Sequence, residues 1–189
     1  MVMIQKSYKS SEIRNRTRKI ASIHFLYVLV LSAQIIVFDA GKLINPETVL
    51  QRWIATGLLL LVTTIVWYIS RNRSGESATS KKLIGMLILA DIAMASYSVY
   101  ISRGMASKAV LLFVIPIIVS CVLARKSALI ATAVLSIAAY VVTSVAYFVL
   151  NFNEGYKIEL YGEIGFYSAL FVVIALLLWV FIRPNKKIS

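Results

Sequence analysis

The chain has 189 residues, of which 60% are hydrophobic and only 15% charged, with 20 Lys+Arg against 8 Asp+Glu and a net charge of +12. Soluble domains run near 45–50% apolar and about 25% charged, so this composition excludes a conventional soluble domain, and its wealth of Leu, Ile and Val excludes disorder. A single Cys (Cys121) and a single His (His24) exclude a disulfide framework or a zinc site made by this chain alone, and no cofactor is expected.

A hydrocarbon core of about 30 Å takes roughly 20 helical residues. Six runs approach that length: 20–38, 49–70, 83–101, 109–123, 127–150 and 164–182. Lipid offers the backbone no hydrogen-bond partner, and these runs do not alternate as barrel strands would, so each is read as a helix. The prediction is an all-α polytopic membrane protein: one domain over 1–189, a bundle of six transmembrane helices preceded by a basic segment, 1–19.

The first run is longer than a typical signal core. No A-x-A-like site follows it, since the exit reads Val37-Phe38-Asp39-Ala40, so it is expected to stay attached. His24 lies one turn in, where an imidazole reads as an interfacial anchor or a pH sensor. Gln34, further along, is expected to bond a neighbouring helix. The second run opens at Arg52-Trp53 and closes at Trp67-Tyr68, aromatics of the kind that sit at both membrane interfaces.

Asp91, in the third run, is the one acid deep in a span. At about 1.5 Å per residue it lies about 12 Å in, near mid-bilayer, so it should face the bundle interior. Ala95, Ser98 and Ser102 follow on the same helical face as a small, weakly polar stripe. No Lys or Arg stands at similar depth, so Asp91 is expected as a neutral acid donating a hydrogen bond. It reads either as a proton- or ligand-responsive group or as a packing bond between helices.

The fourth run is short and carries Pro116 in its middle. A kinked span is expected, with a re-entrant segment as the alternative. Cys121, near its end, reads as a small apolar filler. In the fifth run Thr132, Ser136, Tyr140 and Ser144 recur every four residues. This hydroxyl stripe could supply a partner for Asp91 and reads as a helix-packing surface or, alternatively, part of a substrate pathway. The sixth run ends near Trp179.

Charge sets the expected orientation. The inner segments of a six-span chain would hold Lys6, Lys9, Arg14, Arg16, Arg18, Lys19, Arg71, Arg73, Lys81, Lys82, Arg125, Lys126, Arg183, Lys186 and Lys187. The outer side keeps only Lys42, Arg52, Arg103, Lys108 and Lys157. Basic residues collect on the cytoplasmic side of short loops, so both termini are expected inside a prokaryotic cytoplasmic membrane. A five-span chain would put the Arg183–Lys187 cluster outside. Because the positive charge flanks spans on one side, it orients the chain and attracts anionic lipid, and no nucleic-acid partner is expected.

From Trp53 to Leu129 the pattern is familiar. Arg52-Trp53 opens one span, Ala90-Asp91 sits in the next, Gly104-Met105-Ala106-Ser107 makes an outer turn, the 111–118 run contains Pro116, and Ala124-Arg125-Lys126-Ser127-Ala128-Leu129 makes a tight inner turn. This resembles the six-helix membrane input region of bacterial sensor histidine kinases of the type IV pilus sensor kind. There an aspartate in the third helix precedes a Gly-Gly-x-x-Ser turn and a Pro-containing fourth helix. The turn here departs from that pattern at Arg103-Gly104 and Lys108. Family members continue through a coiled coil into phosphoacceptor and ATP-binding domains. This sequence ends at Ser189, and Pro184 would interrupt an output helix. The expectation is therefore a detached input module, a fragment, or a separate small membrane protein of the same architecture.

The resemblance implies a sensory or regulatory module, dimeric, that passes a conformational change to a cytoplasmic kinase or other signalling partner. The alternatives are a small proton- or cation-coupled transporter using Asp91, and a structural protein holding a partner complex. With no nucleophile–base pair, paired carboxylates or phosphate loop, no enzyme activity is expected. The candidate functional or packing polar residues are Asp91, Ser98, Ser136, Tyr140 and His24, with no metal site.

Overall fold

The computed structural model describes residues 2–72, 77–102, 104, 107–151 and 157–182, and these are helices and the turns between them, with no strand among them. Arg103 and Met105-Ala106 of the outer turn, the loop at 152–156, and the basic tail with Pro184 at 183–189 lie outside the described residues. Helix α1 spans Val2–Ala40, α2 Pro46–Asn72 and α3 Ser77–Ile101. A short apolar helix, Lys108–Leu123, contains α4 (Val114–Ser120), and α5 (Lys126–Asn151) and α6 (Lys157–Phe181) follow. Five stretches are long and apolar enough to cross a membrane: Glu12–Ala40, Pro46–Arg71, Ala78–Ile101, Lys126–Asn151 and Lys157–Phe181.

The turn from α1 into α2 is written in its residues. Lys42 takes a left-handed conformation (φ 51°), and the Leu43 N–H donates to the Phe38 carbonyl while the Lys42 N–H donates to that of Asp39. These are the two bonds that close a helix through a left-handed residue. Asn45 then caps α2, its Oδ1 accepting from the Thr48 N–H at 2.7 Å. Pro46 fits the first helical position, where no N–H is needed, and Glu47 suits the positive end of the helix dipole.

The fourth run, expected as a kinked span, has a winding of its own. It is a composite, with 3-10 turns over Lys108–Phe113 and Cys121–Leu123 flanking α4. Ser107 starts it, its Oγ accepting from the Ala109 N–H at 3.0 Å. Pro116 has no N–H for the ladder, and the change from 3-10 to α falls just before it. A 3-10 helix rises about 2.0 Å per residue against about 1.5 Å in α, so the run reaches about 28 Å rather than about 24 Å. That brings a short segment close to the thickness of the hydrocarbon core.

The chain divides into two compact units, Met1–Met94 and Ala95–Ser189, the boundary falling within α3. In the first, α1 and α2 form an antiparallel hairpin. The buried residues of α1 are Thr17, Ala21, His24, Val28, Leu31 and Ile35, and those of α2 are Thr56, Leu59, Thr63, Val66 and Ser70. Both series step by alternating threes and fours, the spacing that keeps one seam facing a neighbouring helix. Leu83 of α3 joins Ala21 and Val66 in one cluster, and Met94 joins Val28, Leu31 and Leu59 in another. Helix α3 therefore runs parallel to α1.

In the second unit α5 and α6 are antiparallel. Phe113, Tyr140 and Phe171 form an aromatic triangle with ring centres 6.0–6.1 Å apart, and Tyr167 meets Tyr140 at 5.8 Å. Phe148, Leu160 and Ile164 pack at the other end.

Candidate functional site

The seam of the first unit is apolar with a few hydroxyls, and its described titratable pair falls at one level. Between the cluster of Ala21, Val66 and Leu83 and that of Val28, Leu31, Leu59 and Met94, α1 presents His24, α2 presents Thr63 and α3 presents Asp91. Thr63 returns its hydroxyl proton to the Leu59 carbonyl of its own helix at 2.8 Å. His24 and Asp91 face each other: Nε2 stands 2.9 Å from Oδ2, and the residues are 3% and 1% exposed.

The other imidazole nitrogen fixes the chemistry. Nδ1 lies 3.0 Å from the Ile20 carbonyl oxygen one turn back. A carbonyl can only accept, so Nδ1 carries a proton. The bond at Nε2 then contains one more proton, placed either as imidazole with carboxylic acid or as imidazolium with carboxylate. Both placements leave the pair neutral overall, the arrangement a low-dielectric interior tolerates. Asp91 Oδ1 is also buried and has no hydrogen-bond partner among the described residues. The Tyr27 ring meets the imidazole edge-on at 6.1 Å.

His24, expected to reach water or lipid phosphate, is instead buried and turned towards Asp91. His24 lies inside Glu12–Ala40, the stretch of α1 that contains a membrane-spanning length of apolar residues. Asp91 sits near the middle of Ala78–Ile101. Its hydrogen-bond partner is this imidazole, 67 residues away in the chain. Nothing local to either helix announces the pairing. The usable signal was that the chain's lone His and its deepest acid both fall within long helices.

The remaining candidates lie in the second unit. Ser98 is half-buried on α3. Thr132, Ser136, Tyr140 and Ser144 all point inward from α5, with Tyr140 enclosed in the aromatic triangle. Gly104, noticed only as part of a turn, has a sharper constraint. It has φ +61°, and a Cβ there would lie 2.6–2.9 Å from side-chain atoms of Tyr147. Its carbonyl accepts from the Ser107 N–H at 3.1 Å.

Among the described residues, cations lie over aromatic faces near helix ends: Arg52 on Phe38 at 5.4 Å, Arg71 on Trp67 at 5.2 Å and Lys126 on Trp179 at 4.4 Å. Such contacts let a long side chain keep its charge near water while its stem lies along apolar surface. No group of three His, Cys, Asp or Glu side chains able to hold a metal ion occurs among the described residues.

Comparison with known proteins gives one finding. The family model described as the PilS-like transmembrane domain matches residues 8–187. No curated protein and no solved structure matches significantly.

Proposed function

The chain belongs to the PilS-like transmembrane domain family, and on that premise we propose that it is a sensory input module passing a conformational change to a cytoplasmic signalling partner. It is an integral membrane protein whose exposed apolar side chains, such as Leu26, Leu29, Leu176 and Leu177, contact lipid. The finer reading is a homodimer of six-span subunits with both termini in the cytoplasm and a kinase or related protein as partner. The family match carries it, because it extends across α1 to α6 rather than over a single helix pair. The one-sided placing of basic residues supports the orientation.

A photo-crosslinking residue at Lys126, in the expected inner turn, tests the reading in intact cells. The expected product joins the chain to a protein bearing a kinase or receiver domain. Purified protein in liposomes should leave an imposed proton gradient as stable as in empty liposomes. Gradient-driven proton or cation flux, or the lack of any cytoplasmic crosslink, would overturn the sensory reading.

A further inference from the structure

We propose that His24 and Asp91 form a one-proton catch that holds α1 against α3 and is released when the pair gains or loses a proton. The proposal deepens the sensory reading by giving the module its switch element. It starts from the count of protons. With Nδ1–H committed to the Ile20 carbonyl, the bond between Nε2 and Oδ2 has room for one proton and no more. A second proton would have to settle on Asp91 Oδ1, which is buried without an acceptor among the described residues. The pair would then hold a net positive charge and an unsatisfied donor. Loss of the shared proton would leave the Nε2 lone pair facing a carboxylate 2.9 Å away, with a net negative charge and no hydrogen bond. The apolar layers on either side of this level offer neither state a counter-charge.

Relief requires water, and water reaches these atoms only if the helices part. The groups facing the pair do not change this. Tyr27 is the titratable side chain beside it on α1. The buried face of α2 (Thr56, Leu59, Thr63, Val66, Ser70) has no titratable group, and Asp91 is the one on the buried face of α3 within the first unit. The neutral pair is thus the state that closes the seam, and a change of proton number in either direction opens it.

The chain's single histidine makes the test direct, because protein labelled with nitrogen-15 histidine reports His24 alone. The full chain in lipid bilayers is titrated by solid-state NMR. In parallel, the α1–α3 distance is followed by electron paramagnetic resonance between spin labels at Leu26 and Leu89, both exposed, in a Cys121→Ser background. Nδ1 should stay protonated throughout. The helix distance should be shortest over a middle pH range and lengthen where the Nε2 signal changes. Asp91→Asn offers an amide N–H to Nε2 and so should keep the short distance. It should retain the opening on the acid side, where the imidazole still gains a proton, and lose the opening on the alkaline side, because the amide has no proton to give up.

A distance that stays flat while Nε2 changes protonation, or a profile that does not change over the range in which the protein stays folded, would overturn the catch. An alkaline-side step that persists in Asp91→Asn would also overturn it. These outcomes leave the sensory reading standing, whereas gradient-driven flux in liposomes would remove that reading and leave the proton count of the pair as it is.

Discussion

A hydrogen bond to a backbone carbonyl is a small feature, yet at His24 it decides what the side chain can do. Because the Ile20 carbonyl occupies Nδ1, Nε2 is left for Asp91 alone. Replacing Asp91 by Leu should strand Nε2 in the seam and lower stability by about 1–3 kcal/mol, the cost of an unmet buried polar group. Changing His24 to Leu should strand the carboxyl at similar cost. The double replacement His24→Leu with Asp91→Leu should cost clearly less than the two together, since removing both partners leaves no orphan. Denaturation of the four proteins in detergent measures the difference, and additive losses would mean that the contact contributes nothing as a pair.

Gly104 calls for a different experiment. A side chain there must adopt a left-handed backbone and also displace Tyr147, so Gly104→Ala should destabilise by about 2–4 kcal/mol. Gly57 and Gly85 have nothing within 4 Å of a built Cβ. Alanine there should be neutral or stabilising by up to about 1 kcal/mol through helix propensity. Thermal unfolding of the three variants ranks them.

Among the elements, α2 shows most plainly how local residues start a helix that tertiary packing then uses. Asn45, Pro46 and Glu47 each satisfy a separate requirement of a helix N-terminus, and the seam from Thr56 to Ser70 follows. Asn45→Ala should cost about 1 kcal/mol by leaving the Thr48 N–H without its acceptor, read as a lowered midpoint in thermal unfolding. The fourth run shows the opposite case. Its apolar residues mark a buried or membrane-embedded segment, but periodicity gives no sign that most of its length is wound as 3-10 helix. Pro116, which has no N–H for the α ladder, lies just after the change from 3-10 to α winding.

For the molecule as a whole, the basic residues decide the expected orientation. Reporter fusions at Asn72, Lys126 and Ser189 should read cytoplasmic, and fusions at Leu43, Ala106 and Asn153 external. External readings at Lys126 and Ser189 together with a cytoplasmic reading at Asn153 would mean that the fourth run fails to cross. Helix α6 bears on how such a bundle associates. Its long apolar residues Val172, Val173, Leu176, Leu177, Val180 and Phe181 are exposed, as expected of a lipid-facing span.

Composition and run length alone determined that the chain is helical, embedded in a membrane and built of long apolar spans, because the bilayer admits few other backbones and penalises every misplaced charge. They also singled out Asp91, since an acid at that depth stands out in any hydropathy profile. The sequence left open which group answers it. His24 lies on another helix 67 residues away, and the two meet only because of the way the face of α1 turns. The left-handed turn at Gly104 against Tyr147 and the 3-10 winding around α4 were equally out of reach. Local pattern reports what each helix would bury; only packing selects the neighbour that meets it, because that contact depends on the register and rotation of several helices at once.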